Sequence, residues 1–321
     1  MMLVSSSDNP CPDGAVTGTI EMPDGVTLRF ARWDSPASAK GDAKGTVCVF
    51  TGRSEFIEKY FETVRELQQR GFAVAAMDWR GQGHSSRQLP DPRKGHVADF
   101  KDFEIDVETF MRLVVLPDCP PPYYALAHSM GGAVMLRAAH SGKRWFERMV
   151  LVSPLIELPH GRSSWPLRIL MRTLRFAGFG NSYVPGSNVD RTRAAGFVGN
   201  PLTTDPERYA RNAAISERNP TLAIGSPTVA WLDAAFDTMV EFDATDYPSQ
   251  IVTPVLMVAA GADSIVSEAA IARFATRLPA GSHRVIEGAR HEILQEADLY
   301  RAQFWAAFDG FVPGKAPGAS I

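Results

Sequence analysis

Six short apolar runs separated by stretches of helical periodicity constrain this chain most: "TVCVF" (46–50), "FAVAAMD" (72–78), "YYALA" (123–127), "RMVLVS" (148–153), "PVLMVAA" (254–260) and "HRVIE" (283–287). A strand that is apolar at consecutive positions is buried on both faces. Strands that alternate with helices pair in parallel, so the runs predict an α/β fold with a mostly parallel central sheet covered by helices on both faces. The helix after the first run carries Phe56, Tyr60, Val64 and Leu67 at steps of three and four, and a last helix carries Ile293, Ala297, Tyr300, Phe304 and Phe308 in the same way. Both stripes face the core. Ahead of the first run, "AVTGTIEM" and "TLRFARW", joined across "PDGV", predict an antiparallel hairpin on the sheet edge.

Between "LVSP" and "SPTVAWLDAAF" the alternation stops. Residues 155–225, rich in Arg, Gly, Pro and Asn, contain no convincing strand and read as an inserted, mainly helical cap above the sheet. The main domain is then built from 1–154 and 226–321, and a chain of 321 residues suits one large domain with an insertion. The Gly/Pro-rich tail "VPGKAPGASI" is expected to be disordered. A formal net charge of -3 gives no reason to expect nucleic acid as a partner. Cys11, Cys48 and Cys119 have no paired metal-ligand spacing, and with Cys48 inside an apolar strand they suit a reducing compartment. The N-terminus lacks the basic and apolar regions of a signal peptide, and no apolar run is long enough to cross a bilayer. A cytoplasmic protein is the expectation, with peripheral membrane contact left open.

The chemistry centres on "ALAHSMGGAV" (125–134), where Ser129 directly follows a strand and directly precedes a helix. So tight a reversal lifts the hydroxyl off the sheet and aims the following N–H groups at whatever it attacks. The turn needs small residues two before and two after the serine; Ala127 and Gly131 supply them, Ala127 standing where glycine is usual. A serine nucleophile also needs a base and a group to orient that base, in chain order Ser, acid, His for a doubly wound sheet. Asp263, just past "PVLMVAA", and His291, between the last strand and last helix, meet that order. Taken singly, Asp263 could be a turn residue and His291 a helix cap; Glu287 is the alternative acid. An oxyanion hole calls for the N–H of Met130 and one from the loop after "TVCVF", for which Arg53 is the candidate. His128 reads as a packing residue, whereas His84 and His96 lie in a loop that could approach the rim. No histidine pair has metal-ligand spacing, and neither metal nor cofactor is expected.

With these residues in place, the sequence resembles the α/β-hydrolase superfamily and, within it, the lysophospholipase L2 and monoacylglycerol lipase group. The resemblance rests on "TGRSEFIEKY", "MDWRGQGHSSR", "KGHVADFKDFEIDV", "LAHSMGGAV", "NPTLAIGSPTVAWL", "GADSIV" and "ARHEIL". Monoacylglycerol lipases usually read His-Gly-x-Gly-Glu-His in the oxyanion loop; here Thr51 and Phe56 replace the two histidines, which inclines the chain toward the bacterial lysophospholipases. The resemblance implies Ser129 as nucleophile, Asp263 as acid, His291 as base and Arg53 with Met130 as oxyanion donors. It also places Glu55 and Lys59 near the leaving alcohol; the alternative for these two is a solvated first helical turn.

In the cap, "SSWPLRILMRTLRFAGFG" predicts an amphipathic helix capped by Ser164, with Arg168, Arg172 and Arg175 as a narrow basic stripe among Trp165, Leu167, Ile169, Leu170, Met171, Leu174 and Phe176. Such a helix suits an acyl-chain lid, with Trp165, Leu170 and Leu174 touching substrate, or a surface whose arginines meet anionic lipid heads. The alternative is a cap helix buried against the main domain with its arginines in solvent. These readings predict a serine hydrolase of lipid carboxylic esters working through an acyl-enzyme. The competitors are an esterase or aminopeptidase-like hydrolase of small soluble substrates, and a hydrolase-fold binding protein without turnover.

Overall fold

The computed structural model describes residues 3–36, 43–159, 164–187 and 196–314, so the tail from residue 315 lies outside the described residues. Strands β1 (Ala15–Glu21), β2 (Thr27–Trp33), β3 (Thr46–Phe50), β4 (Ala73–Met77), β5 (Tyr123–His128), β6 (Arg148–Val152), β7 (Val255–Ala260) and β8 (Gly281–Ile286) form one sheet in the order β1-β2-β4-β3-β5-β6-β7-β8. The β1–β2 and β2–β4 pairs are antiparallel, and every pair from β4 to β8 is parallel. Each apolar run is thus a strand, and the opening hairpin sits on the edge as its pattern predicts.

Strict alternation sends successive residues of each strand to opposite faces. From β3, Cys48 and Phe50 enter one core layer with Phe103, Phe110, Met135, Phe242 and Phe274. Val47 and Val49 enter the other with Phe61, Val64, Leu67, Phe304 and Phe308. Helices α1 (Phe61–Gln69) and α8 (Asp298–Phe311) therefore cover one face of the sheet. On the other lie α2 (Lys101–Phe110), α3 (Met130–His140), α6 (Val229–Asp243) and α7 (Glu268–Ala275). The last helix starts later than its apolar stripe suggests: Ile293 lies in a 3-10 turn and Ala297 just precedes α8. The cause is Glu296, whose carboxylate accepts the N–H groups of Ala297, Arg290 and Thr204 and pins the chain in a turn.

Among the described residues of 155–225 there is no strand. This stretch contributes α4 (Trp165–Leu174) and α5 (Pro206–Arg218), and none of the described helices is long and apolar enough to cross a membrane. Beneath the sheet's antiparallel edge, Arg29 is fully buried and binds both Glu58 and Asp78. Asp78 in turn accepts the N–H groups of Ile57 and His84. Removing the guanidinium leaves two buried carboxylates uncompensated, so Arg29→Met is expected to cost about 3–5 kcal/mol. Chemical denaturation measures this; a loss below about 1 kcal/mol, the range of an exposed pair, would overturn it.

Candidate active site

Ser129 stands between β5 and α3 with φ 50° and ψ -114°, a left-handed backbone that costs a non-glycine residue of order 1–3 kcal/mol. The surroundings impose it. Its N–H donates to the Val152 carbonyl at 3.0 Å, and its own carbonyl accepts from Leu155 N at 3.0 Å and Ala133 N at 3.2 Å. Gly131 lies so close to the end of β3 that a Cβ would sit 2.6 Å from the Thr51 carbonyl oxygen and 2.7 Å from that of Phe50. Ala127, where glycine is usual, is fully buried and causes no clash that bends the strand away from its register with Leu151.

From this turn the Ser129 hydroxyl reaches His291 Nε2 at 3.0 Å, and His291 Nδ1 meets Asp263 Oδ2 at 2.8 Å. The other oxygen of Asp263 accepts the N–H groups of Ile265 and Val266. Burial pushes the Asp263 carboxyl up, but the hydrogen bond and charge of His291 and these two N–H groups hold it below its ordinary value. An ionised Asp263 fixes the tautomer that leaves His291 Nε2 free to take the serine proton. The side chains of the three residues singled out in the sequence therefore stand within hydrogen-bond reach of one another, in the order Ser129, His291, Asp263. Glu287, the alternative acid, makes no such contact. Neither Arg53 nor Met130 spends its backbone N–H on a protein acceptor among the described residues, while Gly52 N and Ser54 N on either side of Arg53 are both engaged.

Glu55 and Lys59 are not a solvated first turn: both are buried, and their charged groups bind protein groups. Glu55 accepts from Gly52 N at 2.5 Å, Tyr60 Oη at 2.6 Å, His128 Nδ1 at 2.9 Å and Lys59 Nζ at 2.8 Å. Lys59 also binds Glu292, the residue after His291. His128 is part of the same cluster. Its Nε2 lies 3.2 Å from the His291 carbonyl oxygen, so both of its ring nitrogens face acceptors, which only the imidazolium satisfies. With His128 charged, two cations meet the two carboxylates of Glu55 and Glu292. Burial lowers the His128 pKa, but the carboxylates of Glu55 and Glu292 together reverse this and the net shift is upward. His84 and His96 bond the hydroxyls of Thr221 and Thr228 and do not reach Ser129.

Helix α4 also departs from expectation. Arg172 binds Asp233 and Asp237, Arg175 binds Asp233, and Arg168 lies near Asp237 and over the Trp165 ring. The basic stripe faces acidic α6, so it is not an outward surface for lipid heads. The apolar side is turned out: Trp165 is 57% exposed, Ile169 52% and Phe176 93%. Leu170 is exposed as well, whereas Leu174 packs by the buried cluster of Met171, Val229 and Phe236. Trp165 borders a cavity of about 520 Å³ between α4, α6 and α7 whose walls include neither Ser129 nor His291.

The strained serine at a strand–helix turn, the relay behind it and the order of the sheet define an α/β-hydrolase. The family model described as serine aminopeptidase, S33, matches residues 41–298, and the chain belongs to that family. It is 31% identical over 287 residues to lysophospholipase L2 of Escherichia coli (strain K12), covering 87% of this chain and 82% of that protein. It is also 31% identical over 145 residues to the monoglyceride lipase of Rattus norvegicus, covering 45% of each. Among solved structures, a soluble variant of the Saccharomyces cerevisiae monoglyceride lipase shares the fold with a TM-score of 0.70 at 18% identity, over 93% of this chain and 96% of that one. These likenesses put the protein in the lysophospholipase and monoglyceride lipase group.

The raised pKa of His128 sets a pH dependence. A base whose folded pKa lies above its unfolded one contributes stability that is complete below the unfolded value and is lost as pH rises through the folded value. Tm should therefore fall on the alkaline side of the ordinary histidine range, and His128→Asn should flatten that limb. Asp263 acts in the opposite sense: its contribution is present above the ordinary aspartate value and lost as pH drops through its lowered one. Tm recorded against pH for wild type and His128→Asn tests the first point; identical alkaline limbs would refute the imidazolium.

Proposed function

We propose that this enzyme, a carboxylic ester hydrolase of the lysophospholipase and monoglyceride lipase group, cleaves the acyl ester of a single-chain lipid through an acyl-enzyme on Ser129. The observation that carries the reading is the relay of Ser129, His291 and Asp263 beside two uncommitted N–H groups. His291 takes the Ser129 proton as the oxygen attacks the ester carbonyl. The N–H groups of Arg53 and Met130 receive the negative charge that develops on the carbonyl oxygen. Collapse expels the alcohol, which takes the proton from His291. Water, deprotonated by the same imidazole, then attacks the acyl-enzyme and releases the fatty acid.

Residues 155–225 act as the cap over this site. The outward apolar side of α4 supports contact with an apolar phase, and the enzyme works in the cytoplasm with this helix resting on a membrane surface. Single-chain lipids are presented there, and the apolar side chains of an interfacial helix bury in the acyl boundary. Charge contributes little to this contact, because the arginines are occupied by α6.

Ser129→Ala should abolish both turnover and labelling by a fluorophosphonate while leaving Tm within a few degrees of wild type; appreciable residual turnover would mean another nucleophile. For substrate class, rates on lysophosphatidylcholine, a long-chain monoacylglycerol and p-nitrophenyl acetate separate the readings. Replacing Trp165, Ile169 and Phe176 together by serine should weaken vesicle binding and long-chain hydrolysis at least about tenfold while sparing the acetate, since each buried methylene contributes about 0.8 kcal/mol. Equal losses on long and short esters would favour the small-substrate hydrolase.

A further inference from the structure

Arg29, Arg80, Arg137 and Arg301 are the arginines buried most fully among the described residues, and each binds two carboxylates. Arg53 is different. Its guanidinium donates to the Ser54 hydroxyl at 2.9 Å and to the Gly225 carbonyl at 2.6 Å, and lies 5.2 Å from the centre of the Trp231 ring. Its Nε is closed off from solvent with no partner, and no described carboxylate forms an ion pair with it. The residue as a whole is half-buried, and the loss of hydration around its guanidinium lowers its pKa to about 10. The fold makes room for this charge: a Cβ on Gly95 would come within 2.5 Å of an Arg53 terminal nitrogen. A charge partly withdrawn from water among neutral groups costs free energy that an incoming anion would offset.

Position indicates which anion. The N–H of Arg53 is a proposed oxyanion donor, so its side chain starts one residue from the ester carbonyl and reaches outward toward Gly225, where the chain leaves the cap for α6. We propose that Arg53 is a specificity residue that binds the phosphate of a lysophospholipid through its guanidinium while its own N–H holds the ester carbonyl across the glycerol. The phosphate replaces the Ser54 hydroxyl as acceptor, and the planar fork of Arg suits its two free oxygens. A monoacylglycerol offers nothing to this group. The inference rests on the lipid-esterase reading and selects among its substrates.

The test uses octanoyl lysophosphatidylglycerol and 1-octanoylglycerol, both kept monomeric, with rates normalised to sites titrated by a fluorophosphonate. Wild type should prefer the lysophospholipid, and Arg53→Gln should reduce the ratio of kcat/KM values, lysophospholipid over monoacylglycerol, by about tenfold or more, chiefly through KM. Any disturbance of the oxyanion loop affects both substrates and cancels in the ratio. Arg53→Lys should recover part of it. Glycerol 3-phosphate should compete in wild type more strongly than inorganic phosphate, and lose this advantage in Arg53→Gln; equal competition by the two would mean a general anion site and overturn the headgroup assignment. A ratio unchanged within about twofold would also overturn it. A wild type that cleaves p-nitrophenyl acetate but neither lipid would instead defeat the lipid-esterase reading, and this one with it.

Discussion

The left-handed turn at Ser129 is the constraint on which the rest of the site depends. It persists because bonds on both sides over-determine it: the N–H of Ser129 is tied to β6, its carbonyl is tied to the segment after β6, and Gly131 is pressed against the end of β3. The last contact fixes more than the serine. The carbonyls of Phe50 and Thr51 against Gly131 set where β3 ends, and hence where the loop bearing Gly52 and Arg53 begins. One close approach thus positions both the Ser129 hydroxyl and the backbone N–H of Arg53, and a side chain at Gly131 would displace both.

Behind this arrangement the Glu55 carboxylate connects three loops. Through Gly52 it holds the loop after β3, through His128 the end of β5, and through His128 and Lys59 the loop carrying His291 and Glu292. Burying so many charges is unfavourable unless every one is met. Here Lys59 bridges the two carboxylates and His128 supplies the second positive charge. Its effect is positional: a shift of any one loop would strip a partner from a buried ion, so the cluster ties the positions of the three loops to one another.

The parts legible in the sequence are those that a single element encodes. Fully buried parallel strands read as unbroken apolar runs, and β3, β4 and β7 are buried at every position. The edge strand β8 is mostly exposed, and only its place after β7 and before a helix gave it away. The chain order of Ser129, Asp263 and His291 was readable because each follows a strand at the same end of the sheet. The Glu55 cluster was not, because its partners lie 73 and 233 positions apart in the chain. The local signal was slight: Glu55 and Lys59 directly precede Phe56 and Tyr60 of the apolar stripe, a placement equally suited to a solvated helical turn.

Helix α4 shows a different limit. Its sequence establishes two faces but not which one turns inward, since that depends on the surface it meets. Asp233 and Asp237, one turn apart on α6, provide an acidic surface, so the arginines go in and the apolar side chains are left out. The pairs differ in worth: Asp237 is exposed and its pair with Arg172 contributes roughly 0–1 kcal/mol, whereas the Asp233 carboxylate is buried and depends on Arg172 and Arg175 for compensation. Together with Met171 packed against Val229 and Phe236, they both orient the helix and anchor it. The direction in which this amphipathic helix turns is therefore decided by a partner 61 residues further along the chain, which the helix's own sequence does not contain.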